Sequence, residues 1–230
     1  MDDRPWRALV DEARAGAAHM ALDERLAAEA IPTVRLFPWQ GAALSYGWKQ
    51  PLPVWCARLA ASPDGMEIVE RPTGGGIAFH GSDLSIAVIV PRAQGGLRRW
   101  MAAVCRSAGA LCEQYGAPAE CLIDEPGSER VTYCLTERSA YAVLVGGRKI
   151  AGFAARRYPE TWLIQGSLLV NPLPTALIHT VPQGVLASLA ERAISLAEHL
   201  GKPLSLFTAA HHWAAQCCSI NFRGAKIDAM

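Results

Sequence analysis

One stretch of the sequence decides the fold: Cys134-Leu-Thr-Glu-Arg-Ser-Ala-Tyr141-Ala-Val-Leu-Val-Gly-Gly-Arg-Lys149-Ile-Ala-Gly-Phe-Ala154. Residues 142–145 are an apolar run, Gly146-Gly147 is a two-residue turn signal, and Lys149 opens the return strand. The pattern predicts a β-hairpin that brings a thiol and an ammonium to one edge of a sheet. Such a pair suits acyl-transfer chemistry.

Helices and strands alternate outward from this hairpin. Apolar residues at helical spacing predict helices over 19–30, 97–115, 186–200 and 205–217, with Gly116 at C′ of the second and Ser205 as N-cap of the last. Short apolar runs predict strands over 33–37, 42–46, 84–90 and 161–170. One mixed β-sheet covered by helices, an α/β fold, is the simplest architecture.

The composition is that of an ordinary globular protein. Of the 230 residues, 51% are hydrophobic and 19% are charged, and the formal net charge is +1. A chain this close to neutral lacks the basic stripe of nucleic-acid binders and acidic-membrane binders, so neither partner is expected. No apolar run approaches the ~18 residues of a membrane-spanning helix, and we expect a cytoplasmic protein.

Seven cysteines are scattered without a CxxC spacing. This usage favours buried thiols in a reducing compartment over a disulfide framework. His211 and Cys218 share one face of the last predicted helix. A structural zinc site needs four ligands, however, and no second pair lies near in the sequence, so no metal site is expected.

A glycine triplet follows Arg71-Pro-Thr in a loop between strands. Three successive glycines allow backbone N–H groups to point into a cavity, which suits a carboxylate, a phosphate or a thioester carbonyl. The GxxxxGK[ST] and GxGxxG spacings are missing and a strand follows, so a phosphate cradle on a helix N-terminus is not predicted. Taken alone, the triplet more often marks a tight bend between strands than a ligand site.

Four groups of residues carry a family resemblance. They are Ala18-His-Met-Ala-Leu-Asp-Glu24; Pro32-Thr-Val-Arg35 with Trp39, Leu44-Ser-Tyr-Gly47 and Gln50; Arg71-Pro-Thr-Gly-Gly-Gly-Ile-Ala-Phe-His80; and Gly147-Arg-Lys-Ile-Ala-Gly152 with Gln165-Gly-Ser-Leu-Leu169. In this order they resemble lipoate-protein ligase A and the related octanoyltransferases. The likeness extends over nearly the whole chain.

The resemblance implies a biotin/lipoate ligase-type fold, in which a central mixed sheet and a smaller second sheet, with helices packed around them, form a tunnel for a fatty-acyl chain. It implies one catalytic domain over 1–230 without the C-terminal accessory domain of many ligases. The implied activity attaches an octanoyl or lipoyl group to a lysine of a lipoyl-domain or H-protein-like carrier. An acyl carrier protein is the implied donor for the octanoyltransferases.

Members of this family either activate a free acid with ATP or transfer an acyl group through a cysteine, and the resemblance helps to choose between these two reactions. One octanoyltransferase branch carries a cysteine fifteen residues before the Gly-Arg-Lys lysine, with Ser and Tyr between them; Cys134, Ser139, Tyr141 and Lys149 match this pattern. Thr73 also resembles that branch. The resemblance therefore favours a transferase that needs no cofactor and carries the acyl group on Cys134.

Three departures from the pattern of this octanoyltransferase branch keep two alternative functions open. Gly76 is ligase-like, Gly81 replaces a common Asp, and Ala155 stands where Gln is frequent. The first alternative is a ligase that uses ATP and Mg to activate a free acid. The second is a catalytically silent acyl- or carrier-binding protein in which Cys134 only packs.

The resemblance also assigns roles to individual residues. Cys134 and Lys149 are the predicted catalytic pair, with the lysine lowering the thiol pKa and donating to the oxyanion. The predicted substrate-binding residues are Arg71, Thr73, Gly74, Gly75, Gly76, His80, Ala151 and Gly152. For the acyl tail we expect a pocket that includes Phe79, Val88 and Leu168.

Overall fold

The structure is a computed structural model that describes residues 5–60, 66–123, 125, 131–220 and 226–229. An eight-stranded mixed sheet forms its centre, with the strand order β11-β1-β2-β6-β10-β9-β8-β7. These strands are β1 (Arg7–Val10), β2 (Thr33–Phe37), β6 (Asp83–Pro91), β7 (Ala119–Leu122), β8 (Ala142–Val145), β9 (Arg148–Arg157), β10 (Thr161–Leu169) and β11 (Lys226–Ala229). Strand β1 pairs in parallel with both of its neighbours, and the other pairs are antiparallel.

A second sheet of three strands and several helices complete the fold. The small sheet has the order β4-β3-β5, formed by β3 (Ala43–Tyr46), β4 (Glu67–Glu70) and β5 (Ala78–His80). The helices are α1 (Gly16–Glu29), α2 (Val54–Ala60), α3 (Leu97–Gln114), α4 (Thr175–Thr180), α5 (Gln183–Arg192), α6 (Leu196–Leu200) and α7 (Leu206–Ile220). The predicted central mixed sheet with a smaller second sheet is confirmed.

The two faces of the large sheet have different neighbours. On β6, Ile86, Val88 and Val90 belong to the main core, together with apolar residues of α3 and α7. Ala87 and Ile89 point to the opposite face and pack in a smaller cluster with α1. Since side chains alternate along a strand, the residues between the main-core positions of β6 and β10 face α1 and the small sheet.

The predicted hairpin is present. Gly146 and Gly147 have φ angles of +57° and +77°, as a two-residue turn with positive φ at both positions requires. The helix predicted over 97–115 ends as expected, with Gly116 at φ +79°.

The helix predicted over 186–200 is wrong in extent, because two helices occupy this region. The chain leaves helical geometry between α5 and α6, where the Ile194 amide donates to the carbonyl of Lys149 at 3.0 Å. The Ser195 hydroxyl then accepts from the Glu198 amide at 3.1 Å and caps α6. A tertiary hydrogen bond to β9 therefore interrupts an otherwise helical pattern.

Strands β1, β5, β7 and β11 were not predicted from the sequence; each has only three or four residues. Within the residues described above, no helix combines the length and apolarity that crossing a bilayer requires.

Candidate active site

A cavity of about 220 Å³ lies between the large sheet, the small sheet and α1. Apolar atoms form most of its lining. Its walls include Met20, Phe37, Trp39, Ser45, Ala78, His80, Ser85, Ile86, Phe153, Ala154, Gln165, Gly166 and Ser167. Arg71, Gly75, Gly76, Cys134, Ser139 and Gly152 also line it.

Backbone pairing holds the Cys134 segment against the glycine loop. The Ile77 amide donates to the Thr132 carbonyl at 2.8 Å, and the Cys134 amide donates to the Ile77 carbonyl at 2.8 Å. The Glu137 carboxylate accepts from the Thr132 amide at 2.7 Å and closes the turn after the cysteine. The thiol therefore lies beside the glycines although they are far apart in sequence.

Gly76 is needed for this pairing. A Cβ at this position would lie 2.8 Å from the carbonyl oxygens of both Val131 and Thr132, closer than real Cβ contacts. Gly74, by comparison, has open space where a side chain would be. The glycine at 76 thus lets two backbone segments approach each other.

Lys149 and Cys134 converge on Gly152. A Cβ on residue 152 would lie 3.3 Å from both the Lys149 Nζ and the Cys134 Sγ. The lysine side chain is only 3% exposed, and its ammonium donates to the Ser139 Oγ at 2.8 Å and to the Glu137 carbonyl at 3.0 Å. The ammonium is therefore held in one position beside the sulfur.

A β-bulge in β9 places Lys149 on the same side of the strand as the cavity-lining Gly152. Leu144 pairs with Lys149 while the preceding residue of β8 pairs with Ala151, so Ile150 is an extra residue in β9. Ile150 and Ala151 both lie in the main core. Lys149 and Gly152 would face opposite sides of a regular strand, and the bulge places them on the same side.

Arg71 places a buried cation on the same cavity. Its guanidinium donates to the carbonyls of Gly74 and Gly76 at 2.8 and 2.7 Å and to the Ser45 hydroxyl at 3.2 Å. Burial lowers the pKa of Arg71, and the negative charge of a Cys134 thiolate acts in the opposite direction. No described carboxylate forms an ion pair with Arg71, so an anion in the cavity would be favoured.

His80 joins the cavity wall to a buried carboxylate. Its Nδ1 lies 2.8 Å from Asp83 Oδ2, its Nε2 lies 2.8 Å from Ser45 Oγ, and its ring stacks on Trp39. Burial raises the pKa of Asp83, but the His80 charge and the hydrogen bonds from His80 and Ser167 outweigh it, so the pKa lies below its usual range. A polar chain thus runs from Asp83 through His80 and Ser45 to Arg71.

A second polar chain connects the glycine loop to α1. Thr73 donates to the Gln165 Oε1 at 2.8 Å, and the Gln165 amide donates to Asp23 at 2.7 Å. Asp23 also accepts from Arg35 at 2.7 Å, and Arg35 in turn binds Asp11. All of these side chains are buried, so the loop is anchored to the interior of the fold.

His19 completes this buried cluster in its neutral form. Its Nδ1 faces the Arg35 guanidinium, and its Nε2 lies 3.0 Å from the Pro38 carbonyl oxygen and 3.2 Å from the Arg14 backbone nitrogen. Burial and then the Arg35 charge lower the pKa of His19 to about 4. In the sequence, this motif stands out only through the family resemblance, because no local signal shows that Arg35 is buried.

The structure brings together most of the predicted site residues. Arg71, Gly75, Gly76, His80 and Gly152 line the cavity, together with Cys134. Four predicted residues do not line the cavity: Thr73 bonds to Gln165, the Gly74 carbonyl accepts from Arg71, and Ala151 is fully buried in the main core. The fourth, Lys149, reaches the cavity wall only at Gly152 and donates to Ser139 and Glu137.

The residues predicted for the acyl tail do not line this cavity. Phe79, Val88 and Leu168 are fully buried in the main core and are absent from the cavity lining. Their neighbours Ala78, His80 and Ser167 line the cavity instead. The sequence shows alternation but does not show which face borders the cavity.

Several other cysteines are buried as ordinary core thiols. Burial raises the pKa of Cys56 to about 11 and that of Cys112 and Cys217 to about 12. Thiols of this kind are unreactive near neutral pH. In the described ranges, no group of three or more His, Cys, Asp or Glu side chains could hold a metal ion.

A family comparison agrees with this geometry. The family model of the lipoyl protein ligase A/B catalytic domain matches residues 15–217. The chain belongs to this family. All of the cavity-lining residues named above fall within the matched region.

Relatives within this family are octanoyltransferases. The octanoyltransferase LipM of Symbiobacterium thermophilum is 32% identical over 231 residues, covering 91% of this chain and 84% of the relative. The octanoyltransferase LipM of Brevibacillus brevis is 29% identical, covering 87% and 81%.

Solved structures of family members share the fold. A lipoate-protein ligase A bound with ATP has a TM-score of 0.73 at 17% identity, covering 98% of this chain and 89% of that one. A bi-partite lipoate protein ligase described with its E2 lipoyl domain, from Thermoplasma acidophilum, has a TM-score of 0.70 at 17% identity, covering 98% and 87%. At these identities the likeness concerns the fold alone.

Proposed function

We propose that this protein is an octanoyltransferase of lipoylation that carries the acyl group on Cys134 and passes it to a lysine of a carrier domain. One observation carries the proposal: the Cys134 sulfur and the Lys149 ammonium converge on Gly152 at the wall of an apolar cavity. The octanoyltransferase relatives, which align with nearly the whole chain, support the same chemistry.

The cavity suits a short acyl chain. Its volume of about 220 Å³ exceeds the ~150 Å³ of an apolar cavity that admits benzene. Each methylene buried there contributes about 0.8 kcal/mol to binding. Phe37, Trp39, Met20 and Phe153 supply the apolar surface, so the tail would lie between the two sheets with its carbonyl near Cys134.

In the first step, the Cys134 thiolate attacks the carbonyl carbon of an octanoyl thioester. A carbon–sulfur bond forms, and the carbonyl oxygen becomes an oxyanion that the Lys149 ammonium and nearby backbone N–H groups stabilise. Collapse of this intermediate breaks the bond to the donor sulfur, which leaves as a thiolate and takes up a proton. The enzyme then holds an octanoyl thioester.

In the second step, the neutral ε-amine of an acceptor lysine attacks the Cys134 thioester. A carbon–nitrogen bond forms, the nitrogen loses its proton, and Cys134 leaves as a thiolate. Lys149 and Arg71 both place positive charge near this sulfur, so the thiolate is a favoured leaving group. No cofactor is required in this scheme.

We infer an acyl carrier protein as the donor and a lipoyl-domain or H-protein-like carrier as the acceptor. The ligase of Thermoplasma acidophilum, which shares this fold, is described with an E2 lipoyl domain, and this supports the acceptor class. The cytoplasm, where thiols stay reduced, is the compartment that a thiolate mechanism needs.

The deciding experiment follows the mass of the intact protein. After incubation with octanoyl acyl carrier protein, we expect an octanoyl adduct that hydroxylamine removes and that Cys134→Ser abolishes. Cys121→Ser is the matched control, because Cys121 is also half-buried but lies outside the cavity lining. This control should load normally.

The same experiment tests the ATP-dependent alternative. If Cys134→Ser retains acylation of the carrier, and the reaction needs ATP and Mg and releases pyrophosphate, the protein is a ligase and the thioester route is refuted. If neither condition gives acylation of the carrier, the protein is a silent binding protein.

A further inference from the structure

Two cations share one exposed aromatic ring outside the cavity. The Trp48 ring is 47% exposed, which is unusual for so large an apolar side chain. The Lys49 Nζ lies 4.2 Å from its centroid, and the Arg156 guanidinium carbon lies 4.5 Å from the same centroid. The mechanism proposed above uses none of these three side chains.

These residues lie at the rim of the cavity. The Trp48 amide donates to the Thr73 carbonyl at 2.9 Å, and Arg156 donates to the Pro72 carbonyl at 3.1 Å. Both contacts are therefore with the segment that leads into the glycine loop. Arg156 also follows Ala154, a cavity-lining residue, by two positions on β9, which places it about 7 Å further along the same face.

The turn that carries Trp48 is held firmly in place. Lys49 has a φ angle of +59°, which is costly for a residue with a side chain. The Gln50 amide closes the turn on the Gly47 carbonyl at 2.9 Å, and the Lys49 amide donates to Glu70 at 3.0 Å. The two cations are thus presented by a fixed backbone.

Neither cation has a described carboxylate as its ion-pair partner. Glu70 accepts from the backbone amide of Lys49 at 3.0 Å, and Glu24 accepts from the Tyr158 hydroxyl at 3.4 Å. Two positive charges beside one aromatic face, neither in a direct ion pair with a described carboxylate, attract an anionic surface and repel a cationic one.

We propose that Trp48, Lys49 and Arg156 form a docking platform for the acidic face of the acceptor carrier domain. This inference rests on the proposed function, because it names how that acceptor is recognised. A lysine has only a four-carbon stem, so the acceptor must bring its folded surface against the cavity rim for its amine to reach Cys134. Carboxylates next to that lysine would offset its own repulsion from the platform.

The test separates docking from chemistry by comparing two acceptors. The enzyme is first loaded on Cys134 with octanoate from a small thioester, octanoyl-N-acetylcysteamine. Transfer is then followed in single turnover to a recombinant E2 lipoyl domain or to Nα-acetyl-lysine amide. Arg156→Glu should lower the rate constant for the domain on the order of 10-fold, while transfer to the small amine changes less than about twofold.

Arg157→Glu is the matched control. It makes the same charge change one residue away, but Arg157 faces the other side of β9 and stacks over Trp162. This variant should transfer to the domain at the normal rate. For the original protein, raising the salt concentration should slow transfer to the domain, and Arg156→Glu should weaken this dependence.

The docking platform is refuted if Arg156→Glu lowers the transfer rate equally for both acceptors. It is also refuted if Arg157→Glu lowers the rate for the domain as much as Arg156→Glu does. If Cys134 does not load at all, the proposed function has failed, and the platform is tested separately by calorimetric titration of Cys134→Ser with the lipoyl domain. In that titration, unchanged affinity after Arg156→Glu refutes the platform, and a loss that Arg157→Glu does not share supports it.

Discussion

The Lys149 ammonium donates a 2.8 Å hydrogen bond to the Ser139 hydroxyl, within a chain segment that also carries Cys134. This bond connects strand β9 to the loop of the nucleophile. It also means that the lysine is oriented by the segment whose thiol it serves.

We expect Lys149→Ala to lower the rate of Cys134 loading by a factor on the order of 100, because one oxyanion donor is typically worth a few kcal/mol. Ser139→Ala should lower it less, on the order of 10-fold, since the ammonium remains but loses its orientation. Stopped-flow loading from octanoyl-N-acetylcysteamine measures both effects. The loading rate of the double variant should equal that of Lys149→Ala alone. If the two losses of rate add instead, Ser139 acts independently of the lysine.

Gly152→Ala tests the space between the sulfur and the nitrogen. The added methyl would lie 3.1 Å from Lys149 Cε and 3.3 Å from Cys134 Sγ, so both side chains must shift. We expect the loading rate to fall on the order of 10-fold with little change in the free energy of unfolding.

Gly184→Ala on α5 is the control for this substitution. A Cβ there meets nothing within 4 Å, so the variant should load normally and gain roughly 0.5–1 kcal/mol of stability. Normal loading by Gly152→Ala would mean that the two side chains do not converge there.

A pair of glycine variants tests the pairing between the glycine loop and the Cys134 segment. Gly76→Ala forces a Cβ against two backbone carbonyls and should cost roughly 1–3 kcal/mol in the free energy of unfolding. Gly74→Ala has open space and should be nearly neutral. Urea unfolding and the rate of Cys134 alkylation by iodoacetamide measure the two effects. Equal behaviour of the two variants would contradict the close approach at residue 76.

His19 predicts how stability depends on pH. Its pKa falls from 6.5 in the unfolded chain to about 4 in the folded one, so between these values the unfolded state binds more protons and stability rises with pH. The full contribution, about 3 kcal/mol, is present above pH 6.5 and is lost as the pH falls towards 4.

Urea unfolding at several pH values checks this expectation. His19→Gln should be less stable at pH 7 but should show a flatter pH profile, whereas the exposed His179→Gln should keep the original profile. A profile for His19→Gln as steep as that of the original protein would assign the dependence to other groups.

Local patterns were sufficient for much of the fold. The hairpin at 146–147, the long helix α3 and the strands β2 and β6 follow from turn residues and apolar periodicity, which act over a few neighbouring positions. The helix predicted over 186–200 was wrong because the bond between Ile194 and Lys149 joins residues distant in the chain. The periodicity of apolar residues cannot reveal a contact of this kind.

The candidate site was less accessible from the sequence. The motifs of the family resemblance pointed to Cys134 and Lys149, but nothing in the local pattern shows that Ile150 bulges, or that Arg71 is buried with no ion-pair partner among the described carboxylates. The pattern also does not show which residues line the cavity: Ala78 and Phe79 are neighbours on one strand, and only Ala78 lines it.

The extra residue at position 150 has a consequence for how this site can vary. Without this residue, side chains before and after the bulge would alternate as in a regular strand. Lys149 would then turn to the opposite face of β9, away from the cavity, while Gly152, Ala154 and Arg156 stayed on their present face. Side chains around the sulfur can be exchanged one at a time, but the number of residues between 149 and 152 cannot change without separating the amine from the thiol. Chain length at this point is as much a part of the chemistry as the identity of either reactive group.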